Sequence, residues 1–329
     1  MIDTIPLGRS RVQVSRIGVG TMSWSGAEGQ GAYGGTRPAD EEAAFRASLE
    51  TGVNLFDTMN MYSGGKSERR LGELARGTTA VLATKFLPSR LVPPAFPYLP
   101  SHLPKLLDAA LARLGRTAVD VFQLRKFGLL PMKAWMNRLA DAVEAGKVRA
   151  VGVSGFAEEE IRAAHAALES RGIPLASVQN QYSLLDRQPE YDGVLGACKE
   201  LGITLIAFSP LALGALSGKY GPGRLPADTM RRRVAPAFRA RRMALTVEVL
   251  RMLQAIAAGH SRTVPQVALR YLIEQGAIPI PGAKNEQQAR DNAAALTFAL
   301  SPAEMAELRQ ATESWTRTTS WGRNVTSLS

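Results

Sequence analysis

Three residues in the first third of the chain carry side chains that can act together as an acid–base group. Asp57 and Tyr62 lie in the segment NLFDTMNMYSGGKSE, and Lys85 lies in AVLATKF. A tyrosine hydroxyl titrates near ~10 in isolation, so it is a weak acid at neutral pH. An ammonium beside the phenol stabilises the phenolate, and a carboxylate behind the ammonium holds it in place. Such a tyrosine can give a proton to a carbonyl oxygen while another group delivers a hydride.

The same residue types also fit a structural interpretation. Asp57 and Lys85 can form a buried ion pair, with Tyr62 packed nearby. Residue types alone favour neither interpretation. The choice depends on the elements that position these side chains.

The chain alternates between short β-branched runs and longer segments with helical periodicity. We predict strands at residues 16–21, 53–58, 80–86, 119–125, 148–155, 175–182, 203–209 and 277–282. Several of the segments between them end in glycine, as helices commonly do. Nearly continuous apolar strands that alternate with helices indicate a parallel sheet buried on both faces.

The predicted fold class is α/β, a (β/α)8 TIM barrel forming a single domain over residues 1–329, with a C-terminal tail from about 314 to 329. An open doubly wound sheet would need a glycine-rich phosphate loop after its first strand, and GVGTMSW lacks the third glycine. The alternating segment DTIPLGRSRVQVSR predicts an N-terminal β-hairpin that plugs the barrel floor. Two long βα loops, residues 87–101 and 210–238, are predicted to be lids or binding loops.

The chemistry of such a barrel lies at the carboxyl ends of its strands. In this chain those ends form a polar ring: Thr21, Asp57, Lys85, Arg125, Ser154, Gln179, Phe208 with Ser209, and Gly282. The strand VDVFQLR is unusual because it ends with Arg125 next to Lys126.

Composition narrows the classes of function. The 329 residues are 45% hydrophobic, enough for one large core and too apolar for a disordered chain. The net charge of +11 fits either an anionic macromolecular partner or a basic enzyme with a phosphate-bearing ligand. The basic residues are spread along the chain, so we predict no nucleic-acid partner. The one cluster, Arg231 to Arg233 with Arg239, Arg241 and Arg242, is interpreted as a solvated loop.

Cysteine usage and hydropathy bear on the compartment. Cys198 is the only cysteine and lies in a predicted helix, where a lone cysteine is usually a core residue. No disulfide can form within one chain, which suits a reducing compartment. No apolar run reaches the ~20 residues of a membrane helix, and no signal-peptide pattern is present. We predict a cytoplasmic protein with no membrane partner and no metal site, and the oligomeric state stays open.

Six segments are together very specific: NLFDT followed by a Tyr, ATK, GKVRAVGVSGF, VQNQYSLLDR, AFSPLALGALSGKY and IPIPGAK. With them the chain resembles the aldo-keto reductase family, in particular its larger bacterial and plant branch, over almost its whole length. The resemblance implies a (β/α)8 barrel, in agreement with the alternation of strands and helices. It also implies NADPH-dependent reduction of aldehydes and ketones, with hydride passing from the nicotinamide to the carbonyl carbon of a small-molecule substrate.

The resemblance assigns roles at the reacting end of the site. Its acid–base group matches Asp57, Tyr62 and Lys85, with Tyr62 as the proton donor. Its partners for the nicotinamide carboxamide match Ser154 and Gln179, and its ring-stacking aromatic residue matches Phe208.

It also implies the remaining NADP(H)-binding positions. These are Gly20, Thr21, Met22 and Asp57 at the first strand ends, Ser209, Pro210, Leu211 and Gly214 around the diphosphate, and Gly282, Lys284, Gln288 and Asn292 at the adenosine end. Lys284 is the expected contact to the 2′-phosphate, which favours NADP over NAD. Gly282 is expected to open a helix whose N-terminal amides receive a phosphate.

The chain departs from the family at the end of the fourth strand. The family has a histidine there that hydrogen-bonds the substrate carbonyl oxygen, and this chain has Arg125. The three histidines of the chain, His102, His165 and His260, lie at no predicted strand end. Arginine is a permanent cation and cannot shuttle a proton. It can polarise a carbonyl, stabilise an oxyanion or hold a carboxylate or phosphate bidentately. Alternatively, Arg125 pairs with Asp57, displaces Lys85 and disables the site.

Other departures cluster at the same end. The family usually continues the DT motif with Ala, an acidic residue, Tyr and Gly, whereas this chain has Met59, Asn60, Met61, Tyr62 and Ser63. The asparagine after the nicotinamide-binding serine is replaced by Gly155. The adenosine end keeps the family pattern. This asymmetry favours retained cofactor binding with altered chemistry or an altered substrate.

Three functions stay open at this point. The first is an NADPH-dependent oxidoreductase with an atypical tetrad that reduces a C=O, C=C or C=N group of a polar or anionic molecule. The second is an NADP-bound barrel with lyase, dehydratase or cyclase chemistry, and the third is a catalytically inactive NADP(H) sensor. The choice of substrate is expected to depend on Trp24, the loop 87–100, the residues after Arg125 and the C-terminal tail.

Overall fold

The computed structural model describes residues 3–25, 35–88, 99–126, 128, 131–221, 223–227, 232 and 235–316. The strands are β1 (Thr4–Pro6), β2 (Gln13–Ser15), β3 (Gly18–Gly20), β4 (Leu55–Asp57), β5 (Val81–Phe86), β6 (Val119–Arg125), β7 (Val148–Ser154), β8 (Leu175–Gln181), β9 (Thr204–Phe208) and β10 (Ile278–Pro279). From β3 to β10 each strand pairs in parallel with the next one along the chain. A parallel bridge between Gly20 and Gly282 joins the first of these strands to the last. The predicted TIM barrel is confirmed.

Helices cover the outside of the barrel. Those within the described residues are α1 (Pro38–Glu50), α2 (Lys66–Leu74), α3 (Leu103–Leu114), α4 (Met132–Glu144), α5 (Glu158–Glu169), α6 (Val194–Leu201), α7 (Ala240–Gly259), α8 (Val264–Glu274), α9 (Glu286–Ala293), α10 (Pro302–Ala311) and α11 (Glu313–Thr316). Alternation along each strand sorts its residues between two cores. In β6, Phe122 and Leu124 belong to the outer core beneath the helices, whereas Val121 belongs to the core inside the barrel.

The N-terminal hairpin closes the floor of the barrel, as the sequence predicts. Leu7, Val12 and Val14 of the hairpin region pack in one cluster with inward-facing residues of the barrel strands, among them Leu55 and Val121. Leu7 and Val14 have no exposed surface. This apolar floor fills the lower part of the barrel, so polar groups inside the barrel have room only above it.

The last barrel strand is much shorter than predicted for a local reason. The run 277–282 forms only the two-residue strand Ile278–Pro279. Pro279 and Pro281 carry no N–H group, so they cannot donate to a strand ladder. Carbonyl groups still pair here, since Gly20 N–H donates to Pro281 O at 3.0 Å. The first barrel strand is likewise short, at three residues.

Cys198 is a core residue, as predicted. It is 2% exposed within α6, and burial raises the pKa of its thiol to about 12. In the part of the chain that the structure describes, no helix is long and apolar enough to cross a membrane. Within the same residues, no group of three or more His, Cys, Asp or Glu side chains could hold a metal ion.

Parts of several predicted features lie outside the described residues. These parts are residues 89–98 of the first long loop, residues 222, 228–231, 233 and 234 of the second, and residues 317–329 of the tail. The predicted roles of these segments stay predictions.

Gly8 allows the hairpin to approach β8 closely. It has φ +56°, and a Cβ atom there would lie 2.4 Å from Ala176 O. We expect Gly8→Ala to lower the free energy of unfolding through two costs that add. The left-handed backbone conformation costs an alanine about 1–2 kcal/mol, and the clash with Ala176 O adds an overpacking cost of about 1–3 kcal/mol. Gly146→Ala is the matched control, since Gly146 has φ +71° and open space around its Cα. Urea denaturation should show the larger loss for Gly8→Ala; equal losses would contradict a tight hairpin contact.

Candidate active site

Polar side chains occupy the inside of the barrel directly above its apolar floor. Because alternate residues of a strand share a face, Leu55 and Asp57 both point inward from β4, and Ala83 and Lys85 both point inward from β5. The lower residue of each pair packs in the floor, and the upper residue is polar. The period-two pattern of these strands therefore delivers the acidic and basic groups to the centre of the barrel.

Asp57 and Lys85 form a buried ion pair. Lys85 Nζ donates to Asp57 Oδ1 and, at 2.9 Å, to Thr58 O. Both charged side chains are 3% exposed. Removal of one partner from a buried pair typically costs about 3–5 kcal/mol, since the other charge is then left without compensation. The pair is thus a strong constraint on the structure as well as a chemical group.

Two glutamine amides complete the environment of the Asp57 carboxylate. Gln123 Nε2 donates to Asp57 Oδ2 at 3.1 Å, and Gln179 Nε2 donates to the same oxygen at 2.8 Å. Sequence reasoning missed Gln123. A signal was present, however, because it is an amide in an apolar strand and lies two residues before Arg125, on the same face. Gln179 was predicted to hold a nicotinamide carboxamide, and that role stays a prediction; in the structure its amide nitrogen donates to Asp57.

Tyr62 lies next to the ion pair on a tight turn. It begins the 3-10 helix Tyr62–Gly65, in which Ser63 and Gly64 have φ values of 50° and 64°. Lys85 Nζ lies 5.6 Å from the centroid of the Tyr62 ring. The structure thus brings Asp57, Lys85 and Tyr62 together, as the sequence indicates, and the phenol has the ammonium as a neighbour.

The two adjacent cations at the end of β6 have different surroundings. Lys126 Nζ pairs with Glu160 Oε1 at 2.6 Å, outside the polar centre. Arg125 Nη1 donates to Ser154 Oγ at 3.0 Å, and its Cζ lies 5.6 Å from the Phe208 ring centroid. Burial lowers the pKa of the Arg125 guanidinium, and the nearby Tyr62 opposes that effect.

The alternative in which Arg125 disables the site is not observed. The partner of Asp57 is Lys85, and Arg125 contacts Ser154 and Phe208 instead. Two of the histidines are paired on the outside of the barrel, with His165 Nε2 2.7 Å from Glu169 and His260 Nε2 2.7 Å from Glu304. His102 Nδ1 accepts a hydrogen bond from Leu99 N–H at 2.9 Å. No histidine therefore replaces Arg125 at the end of β6.

The loop after β9, predicted to wrap a diphosphate, has a strained backbone. Three of its non-glycine residues have left-handed φ values, namely Ser209 (50°), Ala212 (49°) and Leu213 (56°), and Gly214 follows at 95°. Each such non-glycine residue costs on the order of 1–3 kcal/mol, and residues of this kind cluster at ligand-binding sites. Pro210 is buried and Leu211 is half-buried beside them. The backbone geometry of this loop is consistent with a functional role.

The predicted adenosine end is built differently from the sequence expectation. Gly282 does not open a helix, because α9 begins at Glu286 and its N-cap is Asn285, which accepts from Gln288 N–H. Asparagine is a preferred N-cap residue because its side-chain oxygen satisfies a free amide, whereas Gly282 is already used to close the barrel.

Gln288 and Asn292 brace the segment from Gly282 to Lys284. Gln288 Oε1 accepts from Lys284 N–H at 3.0 Å, and Asn292 Nδ2 donates to Gly282 O at 3.3 Å. Lys284 itself is half-buried. The predicted adenosine-binding residues are therefore brought together, with two of them supporting the backbone of the other two.

The residues after β3 were also predicted to contact the cofactor. Thr21 is buried, and its hydroxyl donates to Asp57 O at 3.0 Å and lies 2.9 Å from Ser67 Oγ. Met22 is 36% exposed, and Gly20 is half-buried. Met22 and Gly20 therefore present surface to a ligand at this edge, whereas Thr21 does not.

Trp24 is a core residue, so its predicted role in choosing the substrate is wrong. It has no exposed surface, and its Nε1 donates to Ala283 O at 2.8 Å. Trp315 of the C-terminal region is 1% exposed, and its ring centroid lies 4.9 Å from the Arg242 guanidinium carbon. Neither indole contributes exposed surface for a substrate.

Most of the chain is similar to one known protein family. The model of the Aldo/keto reductase family matches residues 16–313. The chain belongs to the aldo-keto reductase family. It is 33% identical to the chloroplastic pyridoxal reductase of Arabidopsis thaliana, with 91% of this chain and 84% of that protein covered. It is 32% identical to aldo-keto reductase yakc [NADP(+)] of Schizosaccharomyces pombe, with 85% of this chain and 84% of that protein covered.

Solved structures of the family share the fold. The glycerol dehydrogenase AKR11B4 from Gluconobacter oxydans superposes on this aldo-keto reductase with a TM-score of 0.83. The match covers 96% of this chain and 97% of that chain at 24% sequence identity. At that identity the likeness shows the fold alone.

A small cavity beside the strained loop contains a buried acid. Asp186, Ser183 and Gln181 line it together with Ala212 and Leu213 of the loop. Asp186 is 6% exposed, and its carboxylate accepts one long hydrogen bond, 3.4 Å from Gln188 N–H. Burial raises the pKa of Asp186 to about 7, and the neighbouring Asp192 adds to that effect.

This acid should make stability depend on pH. An unfolded aspartate releases its proton near ~4, whereas folded Asp186 keeps its proton up to about 7. The folded state therefore binds more protons within this window, so the free energy of unfolding falls as pH rises through it, by up to a few kcal/mol. We expect Asp186→Asn to flatten this fall in denaturant titrations at pH 5 and pH 7.5. The control Asp141→Asn should keep it, because Arg171 lowers the pKa of Asp141 and that group titrates below the window.

Proposed function

We propose that this aldo-keto reductase is an NADPH-dependent oxidoreductase that reduces a carbonyl, or a C=C or C=N group, of a polar or anionic small molecule. The observation that carries the proposal is the position of Lys85, which pairs with Asp57 and lies 5.6 Å from the centre of the Tyr62 ring. This arrangement is suited to a phenol that gives up a proton and leaves a stabilised phenolate.

The residues present fit NADP(H). Ser154 and Gln179 offer hydrogen-bonding groups for a carboxamide, and Phe208 offers an aromatic face. The strained loop after β9 would hold the diphosphate, with Lys284 at the adenosine end. The printed name of the fission yeast relative includes NADP(+), which supports this choice of cofactor. When bound, NADPH would supply the hydride.

In the proposed reaction each residue of the chain has a separate task. Tyr62 donates a proton from its hydroxyl to the acceptor oxygen or nitrogen, or to carbon in the case of an alkene. Lys85 stabilises the phenolate that remains. Asp57 keeps the ammonium of Lys85 in position, while Gln123 and Gln179 keep the Asp57 carboxylate oriented.

Arg125 is proposed to select polar or anionic substrates. It puts a permanent planar cation where the family has a histidine, and Tyr62 lies close enough to raise the pKa of that cation. A guanidinium in this place can hold a carboxylate or phosphate of the substrate, or stabilise negative charge on the acceptor oxygen. The tetrad of this chain is then Asp57, Tyr62, Lys85 and Arg125.

The assay that tests the function follows NADPH absorbance with a panel of aldehydes, ketones, enones and imines, with and without a carboxylate. NADPH consumption supports the proposal. Substrate turnover at constant absorbance would point to a lyase, dehydratase or cyclase with the Tyr62 phenolate as base, and tight binding without turnover would point to an NADP(H) sensor. We propose a cytoplasmic location on the basis of the single cysteine, and a partner set limited to small molecules.

Tyr62→Phe should lower kcat by about 10²–10⁴-fold, because this is the usual contribution of a positioned general acid. The dissociation constant for NADPH should stay within about twofold, since the ring is retained. Stopped-flow measurement of hydride transfer gives the rate, and fluorescence titration gives the affinity. An unchanged rate with the best substrate would show that the proton comes from another group.

Arg125→His should raise activity toward ordinary uncharged aldehydes and lower it toward carboxylate-bearing ones. A neutral imidazole hydrogen-bonds a carbonyl oxygen, whereas it holds an anion less well than a guanidinium does. The measurement is kcat/KM for an aldehyde acid and for its methyl ester. If both substrates change by the same factor, the loops around the site rather than this side chain set the selectivity.

A further inference from the structure

The contacts of Arg125 coincide with the groups assigned to the nicotinamide. Ser154 Oγ accepts a hydrogen bond from Arg125 Nη1 at 3.0 Å. Phe208 has the Arg125 guanidinium carbon 5.6 Å from its ring centroid. The Arg125 side chain therefore contacts both the Ser154 hydroxyl, proposed to bind the carboxamide, and the Phe208 ring, proposed to stack on the nicotinamide.

Gly155 provides the space for this position of Arg125. A Cβ atom at Gly155 would lie 2.9 Å from Arg125 Nη1 and 3.2 Å from Cζ. Gly155 also has φ +77°, which disfavours most other residues. The guanidinium thus occupies the volume that a side chain at position 155 would take.

The half-buried Arg125 is held less firmly than the buried Arg187. Arg187, for comparison, pairs with Glu190 at 2.7 Å. Among the described residues no carboxylate forms an ion pair with Arg125, and its side chain contacts Ser154 and Phe208 instead. The contacts with a neutral hydroxyl and an aromatic face together stabilise this position of Arg125 by roughly one hydrogen bond and one cation–π interaction. The contacts of a bound ligand can be more favourable than these two.

We propose that Arg125 occupies the nicotinamide subsite of the free protein, on the surface provided by Gly155, and leaves Ser154 and Phe208 when NADPH binds. The inference rests on the proposed function, since it concerns the same cofactor site. Part of the binding energy of the nicotinamide half is then used to displace Arg125. A ligand with only the adenosine end is not affected by this competition.

The test compares NADPH with adenosine 2′,5′-bisphosphate by isothermal titration calorimetry. Arg125→Met should tighten NADPH binding by roughly tenfold, the size of the two lost contacts, and leave the affinity for the fragment unchanged. Lys126→Met is the matched control, because it removes the neighbouring cation, whose partner is Glu160. In the control, the ratio of the affinities for NADPH and for the fragment should stay as in the wild type.

A second variant tests the same point without removing the charge. In Gly155→Ala the new Cβ meets the flexible end of Arg125, so it should push the guanidinium off Ser154 and tighten NADPH binding in the Arg125 background. In the Arg125→Met background the same change should have no effect, because the competitor is already absent. Thermal denaturation confirms that each variant is folded before titration.

The outcomes separate the two proposals. If Arg125→Met binds NADPH as tightly as the wild type or more weakly, or if NADPH and the fragment change equally, the inference about Arg125 is wrong although NADPH is still the cofactor. If neither ligand binds to the wild type or to any variant, the proposed cofactor is wrong and the inference is wrong with it. Selective tightening for NADPH in each single variant, with no further gain when Gly155→Ala is added to Arg125→Met, supports the inference.

Discussion

The burial of the Asp57 carboxylate is the constraint on which the upper half of the barrel depends. An ionised carboxylate removed from water is unstable unless its oxygens are paired, and here the partners come from three other strands: Lys85, Gln123 and Gln179. These residues meet only if the strands are in register and the barrel is nearly closed. The same contacts that make the carboxylate tolerable also fix the ammonium beside Tyr62. The structural and chemical interpretations of this group are therefore compatible.

The architecture could be predicted from the sequence because it depends on local pattern. The sequence itself shows apolar runs of strand length, helical periodicity between them and polar residues at the strand ends. Strand β6 was predicted with the bounds that it has, Val119–Arg125. The hairpin at the floor was also predicted, since alternation over its short strands is unambiguous. The meeting of Asp57, Lys85 and Tyr62 then follows from the rule that parallel strand ends lie at one edge.

What the sequence could not provide were partners distant in the chain. Gln123 looks like an ordinary strand residue until the barrel places it against Asp57, and the same carboxylate engages Gln179. Trp24 was expected to help choose the substrate, yet closure of the barrel buries it beside Ala283. The start of α9 was misplaced because Gly282 is a conspicuous local signal, whereas the cap at Asn285 is decided by a hydrogen bond to Gln288.

The packing of Arg125 against Gly155 also limits how such a site can arise by single substitutions. An arginine introduced while position 155 carries a side chain has no room in its present place, as the 2.9 Å separation implies. The arginine would then be displaced from Ser154, because the close contact falls on the flexible end of its side chain. The contacts of Arg125 with Ser154 and Phe208 therefore depend on two positions of the chain at once.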